Sequence, residues 1–83
     1  MFSLKFSNQS EKFLKKCDKN LAERILEKIK ELKEESVPHN AVRIVGEEKT
    51  FRIRIGDYRV LYEIRWKENE ILIAAIGKRS KVY

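Results

Sequence analysis

The chain has little of several things, and each scarcity narrows what it can be. A single cysteine, Cys17, cannot form an internal disulfide, and a single histidine, His39, cannot complete a zinc site beside it. A disulfide-built secreted scaffold and a zinc module are both excluded, and a reducing, cytoplasmic setting is expected. Neither a metal nor a small-molecule cofactor is expected. Three glycines and one proline leave no collagen-like or low-complexity segment. No apolar run approaches the roughly 18 residues a membrane span needs, and the stretch from Met1 to Phe6 lacks the apolar core of a signal peptide. At 83 residues, with no repeat or linker, residues 1–83 read as a single domain.

Charge, by contrast, is abundant. Nineteen Lys and Arg stand against thirteen Asp and Glu, a net of +6. The excess is uneven: nine basic minus seven acidic residues give +2 over positions 1–41, and ten minus six give +4 over positions 42–83. The kind of cation changes too. Arg24 is the one arginine of the first half, whereas six of the ten basic residues in the second half are arginine. Lysine is a hydrated point charge; arginine is a planar fork suited to phosphate.

Hydrophobic spacing divides the chain into elements. Phe2, Leu4 and Phe6 alternate with polar residues as in a half-buried strand. Asn8 with Glu11 three residues on reads as a capping box opening a short helix, with Phe13 and Leu14 inward and Cys17 at its end. Asp18 caps a longer helix whose Leu21, Ala22, Ile25, Leu26, Ile29 and Leu32 share one face. That helix is expected to run until Pro38. Phe51, Ile53 and Ile55 alternate with Arg52 and Arg54, Gly56-Asp57 marks a hairpin turn, and Tyr58 to Arg65 alternate again. The apolar run Ile71 to Ile76 suggests an interior strand. The expected fold is α+β, in the order β-α-α-β-β-β, with a helical hairpin on one face of a small antiparallel sheet.

A two-residue turn at Gly56-Asp57 sets the register. Ile55 then faces Tyr58, Ile53 faces Val60 and Phe51 faces Tyr62, all on the helix side. The other side collects Arg52, Arg54 and Arg59, with Arg54 directly across from Arg59. Like charges so placed destabilise a sheet by a few tenths to about 1 kcal/mol. A bound anion resolves the repulsion, and nucleic acid is favoured over a membrane because no basic amphipathic helix is present. His39, Cys17 and Trp66 read as surface, boundary and packing residues, and Tyr58 and Tyr62 as core with hydroxyls at its rim.

The segment Phe51-Arg52-Ile53-Arg54-Ile55-Gly56-Asp57-Tyr58-Arg59-Val60-Leu61-Tyr62-Glu63-Ile64, followed by Ile76-Gly77-Lys78-Arg79-Ser80-Lys81-Val82-Tyr83, resembles the RelE/ParE family of toxin–antitoxin toxins. The resemblance implies a helical hairpin on a sheet whose concave face binds RNA. It implies a ribosome-dependent mRNA endonuclease that cuts A-site codons without a metal, the ribose 2′-OH attacking the adjacent phosphate. Catalytic roles would fall on Arg52, Arg54, Arg59, Arg79 and Tyr83, and Lys49, Lys78 and Lys81 are the further RNA-binding candidates. The implied partners are a cognate antitoxin and mRNA on the ribosome. Two departures shift weight from base catalysis to charge and positioning: arginine replaces lysine at positions 52 and 54, and Lys78 stands where many members have histidine beside Arg79. Two alternatives are a gyrase-poisoning toxin of the ParE branch, which generally lacks the clustered arginines and terminal tyrosine, and a non-catalytic RNA- or ribosome-binding module.

Overall fold

A computed structural model describes residues 1–78, so the expectations placed on Arg79, Lys81 and Tyr83 lie outside the described residues. The elements are β1 (Ser3–Phe6), α1 (Asn8–Lys16), α2 (Lys19–Glu31), β2 (Val42–Arg43), β3 (Thr50–Ile55), β4 (Tyr58–Arg65) and β5 (Glu70–Lys78). They form two helices over one sheet of order β1-β5-β4-β3-β2. The α+β class agrees with expectation, and so does the element sequence apart from one added strand. The sheet, however, is mixed rather than antiparallel: β1 runs parallel to β5, with Ser3 beside Glu70 and Phe6 beside Ile73. It also has a fifth strand, β2, where Val42 pairs with Arg52 and Arg43 with Phe51. Alternation reveals which face a residue takes but not which strand lies beside it, and two residues are too few to alternate at all.

Helix α2 supplies Ile25 and Ile29 to the core, and its C-cap Leu32 joins them, against Phe51, Ile53, Ile55, Val60, Tyr62, Ile64, Ile71, Ile73 and Ile76 of the sheet. Fully burying such a side chain contributes roughly 1.5–3 kcal/mol. Tyr62 is wholly buried, and its hydroxyl donates to the Ser36 carbonyl at 2.7 Å. That burial pushes its phenol well above the ordinary tyrosine range. Asp18 caps α2 as expected, accepting from the amides of Asn20 and Leu21. The helix ends earlier than Pro38: Leu32, Lys33 and Glu34 donate to the carbonyls three residues back, tightening the chain out of the α form.

The N-cap of α1 is Ser7, not Asn8. The Ser7 Oγ accepts from the Ser10 amide at 3.1 Å and donates to the Ala74 carbonyl at 2.7 Å, so one hydroxyl both caps the helix and ties it to β5. Ala74 is special because β5 bulges there. Leu61 pairs with Ala75 and Tyr62 with Ile73, leaving Ala74 as the extra residue. Ser10 Oγ donates to the Ile73 carbonyl, and the Gln9 amide bonds both the carbonyl and the N–H of Ile76. Side chains of the first helical turn thus continue the ladder on the edge of β5 beyond the end of β1.

Candidate functional site

The hairpin register is the one the turn demands. Gly56 holds φ at +61°, a left-handed conformation that favours glycine, and Ile55 pairs with Tyr58. Arg54 is therefore opposite Arg59, and Arg59 is in turn opposite Gly77 of β5. Arg52 is opposite Leu61 and next to Val42 of β2. The three arginines share the face away from the helices, since their strand neighbours Phe51, Ile53, Ile55 and Val60 are buried in the core. They are not equally open. Arg54 is exposed, Arg52 is half-buried and Arg59 is only 9% accessible.

The far end of the same face is charge-neutralised. Glu70 receives Lys5 at 3.2 Å and Arg65 at 3.2 Å, and Arg65 also donates to Glu63 at 3.1 Å. Burial alone would raise the Glu70 carboxyl, but the hydrogen bonds from Lys5 and Arg65 outweigh it and hold the group below the usual carboxylate range. The bond to Glu63, with that to Glu70, raises the Arg65 guanidinium. The outer face is thus divided along its length. Four charges are tied together near the β4–β5 turn, and three arginines crowd together near the β3–β4 turn.

The other candidates are placed differently. Lys78 pairs with Tyr58, so it shares the helix side of the sheet, where it lines a pocket with Gln9, Phe13, Cys17, Asp18 and Leu21. Phe13 packs edge-on against Tyr58 there, with ring centroids 5.8 Å apart. Lys49 is exposed just before β3, beside Glu47 and Glu48, at the opposite end of that strand from Arg54. One basic residue near the hairpin escaped the sequence reading. Arg24 of α2 reaches across the turn, its guanidinium 3.1 Å from where a side chain on Gly56 would begin. Its helical position among solvated charges carries no signal of that reach. Arg43 lies with its guanidinium carbon 5.6 Å from the Phe51 ring centroid. Among the described residues, no three His, Cys, Asp or Glu side chains gather to hold a metal, and no helix is long and apolar enough to cross a membrane.

This architecture is that of the RelE toxins. The isolated RelE toxin of E. coli matches with a TM-score of 0.84 at 22% identity, over 100% of this chain and 92% of that one. RelE in the archaeal RelE–RelB complex of Pyrococcus horikoshii OT3 matches at 0.80 and 30% identity, over 98% of each chain. A Methanocaldococcus jannaschii protein bearing the name RelE1 is 32% identical over 87 residues, spanning 96% of this chain and 97% of its own length. A family model described as the ParE toxin of the type II toxin–antitoxin system parDE matches residues 4–83. The chain belongs to this family, within the RelE/ParE superfamily of toxins.

Proposed function

We propose that the chain is a ribosome-dependent mRNA endonuclease, the toxin of a RelBE-type pair. The observation that carries the reading is the juxtaposition of Arg54 and Arg59 across the hairpin, with Arg52 on the same face. In the reaction, the ribose 2′-oxygen bonds to the adjacent phosphorus, its proton is removed, the bond to the 5′-oxygen breaks and that oxygen takes up a proton. The products are a 2′,3′-cyclic phosphate and a 5′-OH. The pentavalent transition state carries more negative charge than the ground state, so fixed guanidinium groups lower the barrier. An arginine side chain is a poor general base at neutral pH, so the role of Arg52 is charge and positioning. Arg79, as a fourth guanidinium, Tyr83, as a stacking ring, and Lys81, as a phosphate contact, are the further assignments; Lys78 on the helix side of the sheet and Lys49 at the far end of β3 stand away from the arginines.

The partner of the toxin is a cognate antitoxin related to the RelB chains found with RelE in solved complexes. Expression of the chain without it would arrest growth, and co-expression would restore it; harmless accumulation of folded protein would count against any toxin reading.

The decisive experiment maps mRNA ends in a translation reaction. Codon-phased cuts with wild type, reduced on the order of 10²–10³ in rate by Arg54→Ala, support the proposal. The family description, which names the ParE toxin, favours a second reading, a toxin directed at gyrase. Double-strand DNA breaks without mRNA cuts would establish that instead. RNA or ribosome binding with neither kind of break would mark a non-catalytic binding module.

A further inference from the structure

Between the arginines and the neutralised network lies an apolar strip. Leu61 of β4 and Leu72, Ala74 and Ala75 of β5 are all half-buried, in contrast to the buried Ile71, Ile73 and Ile76 of the core. Leu61 stands between Arg52 on one neighbouring strand and Ala75 on the other. The bulge keeps the strip continuous. Strict alternation would bury Ala75 and turn Ile76 outward, whereas the extra residue at Ala74 keeps Ile73 and Ile76 in the core and both alanines out of it.

We propose that this strip is a shelf for one nucleobase. The base of an unpaired nucleotide lies on Leu61 and Ala75 while its phosphate is held at Arg54 and Arg59. The inference rests on the RNA reading of the arginine face and names where the base attached to the held phosphate goes. Leu61 follows Arg59 by two residues on the same strand, a step of about 6.6 Å, so anion and shelf adjoin. Ala74, Ala75 and Gly77 give β5 a low profile that admits a flat ring. Arg52, opposite Leu61, offers a guanidinium to the plane or edge of the base. A nucleotide joins an anion to a planar apolar surface in one ligand, which is the pairing of charge and shelf that this face presents. Stacking of this kind is indifferent to sequence, because every base has a π-face.

The test is binding of a short fluorescent single-stranded RNA, intact or with bases removed one position at a time, measured across a salt series. Leu61→Ser should weaken binding of intact RNA roughly ten-fold with the salt slope unchanged, because no phosphate contact is lost. Leu61→Phe should retain affinity, and Arg54→Ala should lower the slope by about 0.7. One abasic RNA should bind wild type as weakly as intact RNA binds Leu61→Ser. Thermal melts confirm that each variant is folded. Equal binding by Leu61→Ser and wild type, with Arg54→Ala still impaired, overturns the shelf and leaves the arginine site standing. Loss of antitoxin affinity in Leu61→Ser with RNA binding intact also overturns it, assigning the strip to a protein partner. Absence of salt-dependent RNA binding by wild type removes the shelf, and absence of mRNA cuts in the translation reaction as well removes the RNA reading with it.

Discussion

Arg54 and Arg59 face each other on adjacent strands, a placement that folding stability by itself disfavours. The conflict gives a prediction in which stability and activity move apart. Arg54→Glu should create a cross-strand ion pair and stabilise the fold by a few tenths to about 1 kcal/mol, raising the melting temperature by up to several degrees. The same variant should lose mRNA cleavage. Calorimetry checks the first half, and a lowered melting temperature would refute the idea that repulsion is tolerated for function. Tyr62 presents the opposite case, a core residue whose hydroxyl donates to the backbone on the helix side, away from the arginine face. Tyr62→Phe removes the bond to the Ser36 carbonyl and should cost about 0.5–1.5 kcal/mol in urea unfolding, with cleavage unchanged.

At the scale of elements, the hairpin was legible because every local signal agrees. A Gly-Asp turn sits between two runs of strict alternation, and the observed pairing of β3 with β4 follows residue by residue. Gly56→Ala is expected to destabilise the protein by about 1–2 kcal/mol, since alanine resists φ +61°, while the Arg24 guanidinium can move aside. Unfolding kinetics and melts would check this. The start of α1 was misread for an instructive reason. Ser7 and Asn8 are both good caps, and the spacing to Glu11 favours Asn8, but Ser7 gains a second bond to Ala74 that only the folded chain reveals. The bulge was hidden likewise. Ile73 and Ile76 are three apart, a spacing that strand alternation would send to opposite faces, and the run of apolar residues masked the interruption. The parallel pairing of β1 with β5 joins positions some 67 residues apart in the chain, where local patterns carry no information.

For the molecule as a whole, the division of the outer face has a pH signature. Glu70 titrates below its ordinary value of 4.5 because Lys5 and Arg65 favour its charged form. A depressed carboxyl contributes stability that is complete above the unfolded value and is lost as pH falls through the folded one. Melting temperature should therefore drop on acidification from about pH 5 downward, and Glu70→Gln should flatten that drop while lowering stability at neutral pH. An unchanged acid profile in Glu70→Gln would show that other carboxylates dominate.

The position of β5 between β1 and β4 has a consequence during synthesis. Strand β1 waits for its hydrogen-bonding neighbour until residues 70–73 have been made, and the sheet that carries the arginines is incomplete until then. The basic face is therefore finished only once β5 has joined β4, whatever the state of the β3–β4 hairpin.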